Sequence, residues 1–270
     1  VYKQLNIGTA KPTTDELATI PHHLINILEP DDDYSVSIFQ QQAKSLINQL
    51  NDNHVVPILS GGTGLYVQSL LENYNFNDIK PNTKLRIELD ELYTEYGVDG
   101  LREYAQKLAE KGGIEIKYTD KHRLYRAIEL MTAGDYKSLI KQTKDGLSYK
   151  GPVIGLQRER SDLYDRINRR VEIMFEKGLV DEVKELLKNG VNPNCQAFKG
   201  IGYKEVVQYL EGLISYDACV DLIQKNTRHF AKRQITWYKR MPYIEWITID
   251  SQTTEAEIYG MACNIIDSSF

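Results

Sequence analysis

Four stretches of the sequence carry residue types and spacings that could do chemistry. Gly61-Gly62-Thr63-Gly64-Leu65-Tyr66 puts one hydroxyl, Thr63, in a glycine-rich turn behind an apolar run. Such a hydroxyl can donate and accept hydrogen bonds and so orient a polar group. Alone the turn is generic; as a phosphate loop it lacks the Gly-Lys-Ser/Thr that would follow. Arg166, Arg169 and Arg170 share one helix face, while Leu163, Ile167, Val171 and Met174 share another. Their forked donors suit phosphate oxygens, and salt bridges to Asp162, Asp165 or Glu172 are the alternative. Between Lys225 and Arg240 there is no acidic residue. At about 100° per residue, Lys225, Arg228, His229, Lys232, Thr236 and Lys239 fall on one face, and Val220, Ile223, Phe230, Trp237 and Met241 fall roughly opposite. A one-sign stripe points to a polyanion; a plain solvated face is the other reading. Lys121, His122, Arg123 and Arg126 make a further basic group. Asp31-Asp32-Asp33 reads as a solvated loop rather than a metal site, and His22-His23 has no partner at metal-ligand spacing.

The elements that must position these residues follow from periodicity. Thr13 and Thr14 before Asp15-Glu16 predict a capped helix start. His23–Leu28 reads as a short strand ended by Pro30. Ser37 and Gln40 have capping-box spacing, and Phe39, Ala43, Leu46, Ile47 and Leu50 recur at helical intervals. Val55–Leu59 reads as a buried strand feeding the glycine turn and a helix through Leu71. Strand, helix, strand, glycine turn, helix is the order of a parallel α/β sheet. From about residue 75 to 149 the strand signals give way to helices near Lys84–Tyr96, Leu101–Lys111 and His122–Met131. Val153–Leu156 returns to strand character. Helices follow near Ser161–Lys177, Val180–Lys188 and Lys204–Leu210, and a long one runs from about Ser215 to Met241. The division expected is 1–74 and 150–270 for an α/β core in two parts, the second ending in helices, with a helical insertion at 75–149.

With 270 residues, 41% hydrophobic and 26% charged, the chain can bury one large core or two modest ones and is too apolar for disorder. No apolar run reaches bilayer length and no signal peptide is visible, so a cytoplasmic protein with no membrane partner is expected. Cys195, Cys219 and Cys263 form neither a disulfide framework nor a zinc pattern. The net charge of −5 weighs against nucleic acid, and the local basic stripes weigh for it.

Taken together, Ile7-Gly8-Thr9-Ala10-Lys11-Pro12, Gly61 to Tyr66, Gly200-Ile201-Gly202-Tyr203-Lys204-Glu205 and Lys232-Arg233-Gln234-Ile235-Thr236-Trp237 resemble the tRNA dimethylallyltransferases, also called tRNA isopentenyltransferases, across nearly the whole chain. The resemblance implies a P-loop NTPase-like parallel-sheet α/β core with a helical insertion domain and C-terminal tRNA-binding helices. It implies transfer of a dimethylallyl group from dimethylallyl diphosphate to N6 of adenosine 37, in the anticodon stem-loop of tRNA. Cations or Mg²⁺ would stabilise the departing diphosphate, and the target base would leave its stack.

By the same resemblance Thr63 lies beside the reacting amine, Arg170 contacts the diphosphate, and Arg86 is set against tRNA. Three stretches match tRNA-contacting segments: His122, Arg123, Leu124, Tyr125 and Arg126; Lys199, Gly200, Ile201, Gly202, Tyr203 and Lys204; and Lys232, Arg233, Gln234, Ile235, Thr236, Trp237, Tyr238 and Lys239. Tyr66 and Tyr203 are candidate base-stacking rings. The resemblance also implies a monomer, and no heptad seam is visible to contradict it.

Members of that family begin with a strand and a GxxxSGK[ST]-type loop, then an Asp-Ser pair shortly before the Val-Tyr that is Val1-Tyr2 here. The Asp is the presumed general base, and the loop holds diphosphate and Mg²⁺. None of these residues is in this sequence, so the Mg²⁺ ligands are absent and the 270-residue chain is expected to transfer nothing by itself. The head has been cut away or the truncation is natural, and an opening Val1 without Met favours the first. Two other readings remain: an adenylate isopentenyltransferase acting on free nucleotide, and a headless, non-catalytic tRNA-binding protein.

Overall fold

The computed structural model describes residues 1–76, 79–139 and 147–269. It is α/β, with ten α-helices and a small parallel sheet among the described residues. Two compact units result. One combines Val1–Val67 with Tyr149–Phe270, and the other is Gln68–Ser148. Parts of the expected insertion, at 77–78 and 140–146, lie outside the described residues.

In the first unit, α1 (Thr14–Thr19) opens with a capping box in which Thr13 and Glu16 satisfy each other's backbone N–H. Helix α2 (Val36–Asp52) is capped by Ser35, two residues before the expected site; the Ser35 hydroxyl accepts from Ile38 N. The glycine turn leads into α3 (Gly64–Leu71). Two expected strands are absent. Leu24 and Asn26 have φ of 60° and 55°, and left-handed residues at alternate positions prevent an extended run. Only Leu28 is bridged, to Tyr2. Val55–Leu59 is irregular and open rather than buried, with Val56 84% and Ile58 90% exposed. A strand needs a hydrogen-bonded neighbour. The one backbone bond seen here joins Val55 N to Leu50 O and merely closes the turn after α2.

The second unit is helical. Helix α4 (Thr83–Lys111) is two helices fused across Gly97, whose φ of 64° and ψ of −156° break the ladder. This accounts for the two periodic segments seen in the sequence. Helix α5 (Lys121–Thr132) packs along it, closing a core that includes Leu89, Leu101, Leu124 and Ile128.

The first unit then resumes with β1 (Val153–Arg158), α6 (Arg160–Glu176), α7 (Leu179–Lys188), α8 (Tyr203–Leu210) and α9 (Tyr216–Tyr238, capped by Ser215). After them come β2 (Ile244–Ile249) and α10 (Glu255–Ser269). Strand β1 pairs in parallel with β2, from Val153 opposite Ile244 to Arg158 opposite Ile249. The β2 run Ile-Glu-Trp-Ile-Thr-Ile behind Pro242 has the β-branched and aromatic content of a strand, a signal present in the sequence itself. The core is helical. Val171 and Met174 of α6, Val183 and Leu186 of α7, Val206 of α8 and Ile223 of α9 close around Leu5, Phe198 and Tyr203. Among the described residues no helix is long and apolar enough to cross a membrane.

Candidate active site and nucleic-acid interface

The glycine turn rests on α9. Thr63 occupies the N-cap position of α3: its carbonyl accepts from Tyr66 N at 2.9 Å and Val67 N at 3.1 Å, and the residue is exposed. Gln234 Nε2 donates to the Gly62 carbonyl at 2.8 Å. A Cβ on Gly62 would overlap the Gln234 amide, and one on Gly64 would overlap the indole of Trp237. Only glycine permits so close an approach. Two motifs 172 residues apart therefore form one surface.

A second joint unites the other two motifs. Glu182, in the first turn of α7, accepts from Asn6 N and Ile7 N at 2.9 Å and from Gly8 N at 3.4 Å. It also accepts from the Tyr203 hydroxyl at 2.6 Å. Burial, and next the bond to Glu182, push the Tyr203 hydroxyl far above its ordinary range, so it stays a neutral donor. A Cβ on Gly8 would overlap the Tyr203 ring, which stacks on Phe198 with centroids 5.8 Å apart. Glu205 Oε2 accepts from Gly202 N at 2.8 Å, and Oε1 accepts from Asn226 Nδ2 of α9 at 2.8 Å.

The cations on α6 and α9 of this unit make no ion pair among the described residues. Arg166, Arg169 and Arg170 are exposed on α6, and among the described residues none has an ion pair. Asp162 is committed instead to Arg158, at 2.8 Å. Helix α6 packs on α9: Phe175 meets Tyr216 edge-on at 5.2 Å, and Arg228 donates to the Asn168 side chain. Lys225, His229, Lys232 and Lys239 are exposed and, among the described residues, unpaired. Gln234 lies six residues beyond Arg228, about 9 Å along the helix axis. The apolar face departs from expectation at Phe230, which is 40% exposed with the Arg233 guanidinium 5.9 Å from its ring. Helix α8 starts at Tyr203 and is bonded to α9 at Asn226, so Phe230 projects past the end of its cover.

In the second unit the cations are mostly spent on structure. Arg86 Nε and Nη2 bond the two oxygens of Glu129 at 2.7 and 3.2 Å. Glu129 also accepts from Asn82 N, and Arg126 reaches both Glu129 and the Ile79 carbonyl. The Glu129 side chain is 1% exposed, whereas Arg86 is 43% exposed with Nη1 left over. Lys121 pairs with Asp90 at 2.7 Å, 4.4 Å from the Tyr93 ring centroid. Its bond to Asp90, followed by that of Tyr125, holds the Asp90 carboxyl below the usual range.

Of the expected tRNA-contacting residues, Leu124, Tyr125, Gly202 and Tyr203 are buried, so their side chains are not surface contacts. His122, Arg123, Lys199, Gly200, Lys204, Lys232, Arg233, Thr236 and Lys239 are exposed; Arg126, Ile201, Gln234, Ile235, Trp237 and Tyr238 are half-buried. Neither candidate stacking ring is open. Tyr203 is enclosed, and Tyr66 stacks on Phe39 with centroids 4.7 Å apart. Asp31 accepts from Asn192 N, and Asp32 from Glu29 N. Among the described residues no three His, Cys, Asp or Glu side chains converge as an all-protein metal cage would require.

Comparison with known proteins gives one answer. A family model described as IPP transferase matches residues 1–241. The tRNA dimethylallyltransferase of Alkaliphilus metalliredigens is 38% identical over 270 residues, covering 98% of this chain and 86% of the relative. That of Carboxydothermus hydrogenoformans is 41% identical over 260 residues, 94% of this chain and 83% of the relative. Among solved structures, the tRNA isopentenylpyrophosphate transferase of Bacillus halodurans is 35% identical with a TM-score of 0.71, over 100% of this chain and 86% of that one. A eukaryotic dimethylallyltransferase acting on tRNA, 21% identical with a TM-score of 0.78, shares the fold, matching 100% of this chain and 71% of that one. A family match over 241 residues, relatives at this identity and an α/β fold held in common have one reading: the chain belongs to the IPP transferase family.

Proposed function

We propose that this protein is a tRNA dimethylallyltransferase. It transfers the dimethylallyl group of dimethylallyl diphosphate to N6 of adenosine 37, next to the anticodon, and acts as a cytoplasmic monomer with a P-loop-type core. The N6 amine attacks C1 of the donor, the C1–O bond breaks, the diphosphate leaves with the bonding pair, and N6 gives its proton to water. The exposed Thr63 hydroxyl accepts a hydrogen bond from N6–H and aims the nitrogen at C1. Arg170 meets the diphosphate, where its charge counts most as the leaving group becomes more anionic.

The exposed cations of α9, with Lys199 and Lys204, track RNA phosphates. Arg86 contributes through its remaining nitrogen, and His122, Arg123 and Arg126 through the exposed end of α5; the helical unit serves as a tRNA-facing insertion. The observation that carries this reading is the seating of the Thr63 turn on the helix that bears the unpaired cations. Single-turnover transfer to a bound tRNA transcript tests it. Thr63→Ala is expected to slow the step about a hundredfold with tRNA affinity nearly unchanged. An unchanged single-turnover rate would remove Thr63 from the chemistry.

A further inference from the structure

Resting on that reading of Thr63, we infer that Gln234 and Trp237 are positioning residues that set the height and tilt of the Thr63 turn, rather than contacts to RNA. Both lie in a stretch whose charged members face outward. Lys232, Arg233 and Lys239 are exposed, whereas Gln234 and Trp237 are half-buried and turned toward the glycines. The Gln234 amide fixes the Gly62 carbonyl at 2.8 Å, and the Trp237 indole lies against Gly64 so closely that a methyl group there would overlap Cδ1, Cγ and Nε1. These contacts bracket Thr63 from the residue before and the residue after it. The Thr63 carbonyl starts α3, so displacing either flank also tilts the first turn of that helix. The side chain of Thr63 is exposed and makes no hydrogen bond of its own among the described residues, so its position is inherited from its neighbours. Helix α9 thus presents cations outward and holds the reactive hydroxyl on its other flank. RNA bound along the helix is delivered to Thr63 in a fixed register, and a 1 Å error in such a register costs about a hundredfold in rate.

Gly64 supplies the decisive variant. It has no positive φ and begins a helix, where Ala is the better residue, and the Trp237 ring is the nearest obstacle to a methyl group at this position. In the enzyme, kcat at saturating tRNA, tRNA Kd and melting temperature are measured for Gln234→Leu, Trp237→Phe, Trp237→Ala, Gly64→Ala and the Gly64→Ala/Trp237→Ala pair. Gln234→Leu, Trp237→Ala and Gly64→Ala are expected to lose about tenfold or more in kcat with Kd within about twofold. Trp237→Phe should keep most of the rate, and the double variant should be no slower than Trp237→Ala alone, because the clash has gone. Weakened tRNA binding with intact kcat in Gln234→Leu and Trp237→Ala would make both residues RNA contacts and overturn the inference. So would Gly64→Ala and Trp237→Ala effects that simply multiply. Thr63→Ala run in parallel separates the failures. Wild-type kcat there removes the reading on which the inference rests, whereas a slow Thr63→Ala with multiplying Gly64 and Trp237 effects removes the seat alone.

Discussion

On the proposed reading Arg170 serves the leaving group and Thr63 the nucleophile, and each should fail in its own way. Arg170 stands exposed beside Arg166 and Arg169, with no carboxylate neutralising it among the described residues. Arg170→Ala should therefore impair use of dimethylallyl diphosphate by about 2 kcal/mol or more, since a charge-assisted bond strengthens as the leaving group gains charge. Lys at 170 should restore only part, because an ammonium cannot fork. Steady-state kinetics with each substrate varied in turn checks this. A tRNA-binding defect with normal diphosphate kinetics would move Arg170 to the RNA surface. The sequence showed Arg170 as one of three arginines on a helix face; only the resemblance to a family singled it out. Glu182 was illegible. An acid in the first turn of a helix looks like a complement to the dipole. Its actual partners are the backbone of residues 6–8, about 175 positions away, and Tyr203, 21 away.

Helices carry two further predictions. If the α9 stripe tracks phosphates, changing Lys225, Arg228, Lys232 and Lys239 to Gln should weaken tRNA binding and flatten its salt dependence. Each lost contact should lower the slope of log K against log salt by roughly 0.7–0.9, with discrimination among tRNAs little altered. Arg228 should contribute least of the four, being tied to Asn168. An unchanged slope would reduce the stripe to a solvated face. In the helical unit, burial opposes the Glu129 charge. The bonds from Arg86, Asn82 N–H and Arg126 nevertheless hold its pKa below the usual range. A carboxylate depressed in the folded state stabilises above its unfolded pKa, and that stability is lost as pH falls through the folded value. Glu129→Gln should lower stability at pH 7 by about 2 kcal/mol and flatten the acid limb of a melting-temperature profile. A steep limb in the variant would place the acid sensitivity elsewhere. Helices were read well because their apolar stripes pack within neighbouring segments: α6, α7 and α8 begin and end within a residue or two of the periodic runs. Strands were read poorly. Val55–Leu59 is as apolar and β-branched as β1, yet strand structure is a property of pairs, and only β1 has a hydrogen-bonded partner.

The molecule as a whole separates two uses of charge. With a net charge of −5, it leaves the cations of α6 and α9 without ion pairs among the described residues, while Arg86 and Lys121 of the helical unit hold α4 to α5 through Glu129 and Asp90. The chain's overall acidity, which at first weighs against a polyanion, is thus compatible with a local RNA surface, because screening confines each charge to its neighbourhood of about 10 Å. If the proposed reading holds, this site joins a dimethylallyl group to a base within tRNA. Mass analysis of nucleosides tests this, after the full-length enzyme is incubated with dimethylallyl diphosphate and, in separate reactions, a tRNA transcript bearing A37, the same transcript with G37, and AMP. N6-dimethylallyladenosine is expected from the A37 transcript alone. Modified AMP with an untouched A37 transcript, or equal modification of the G37 transcript, would contradict it.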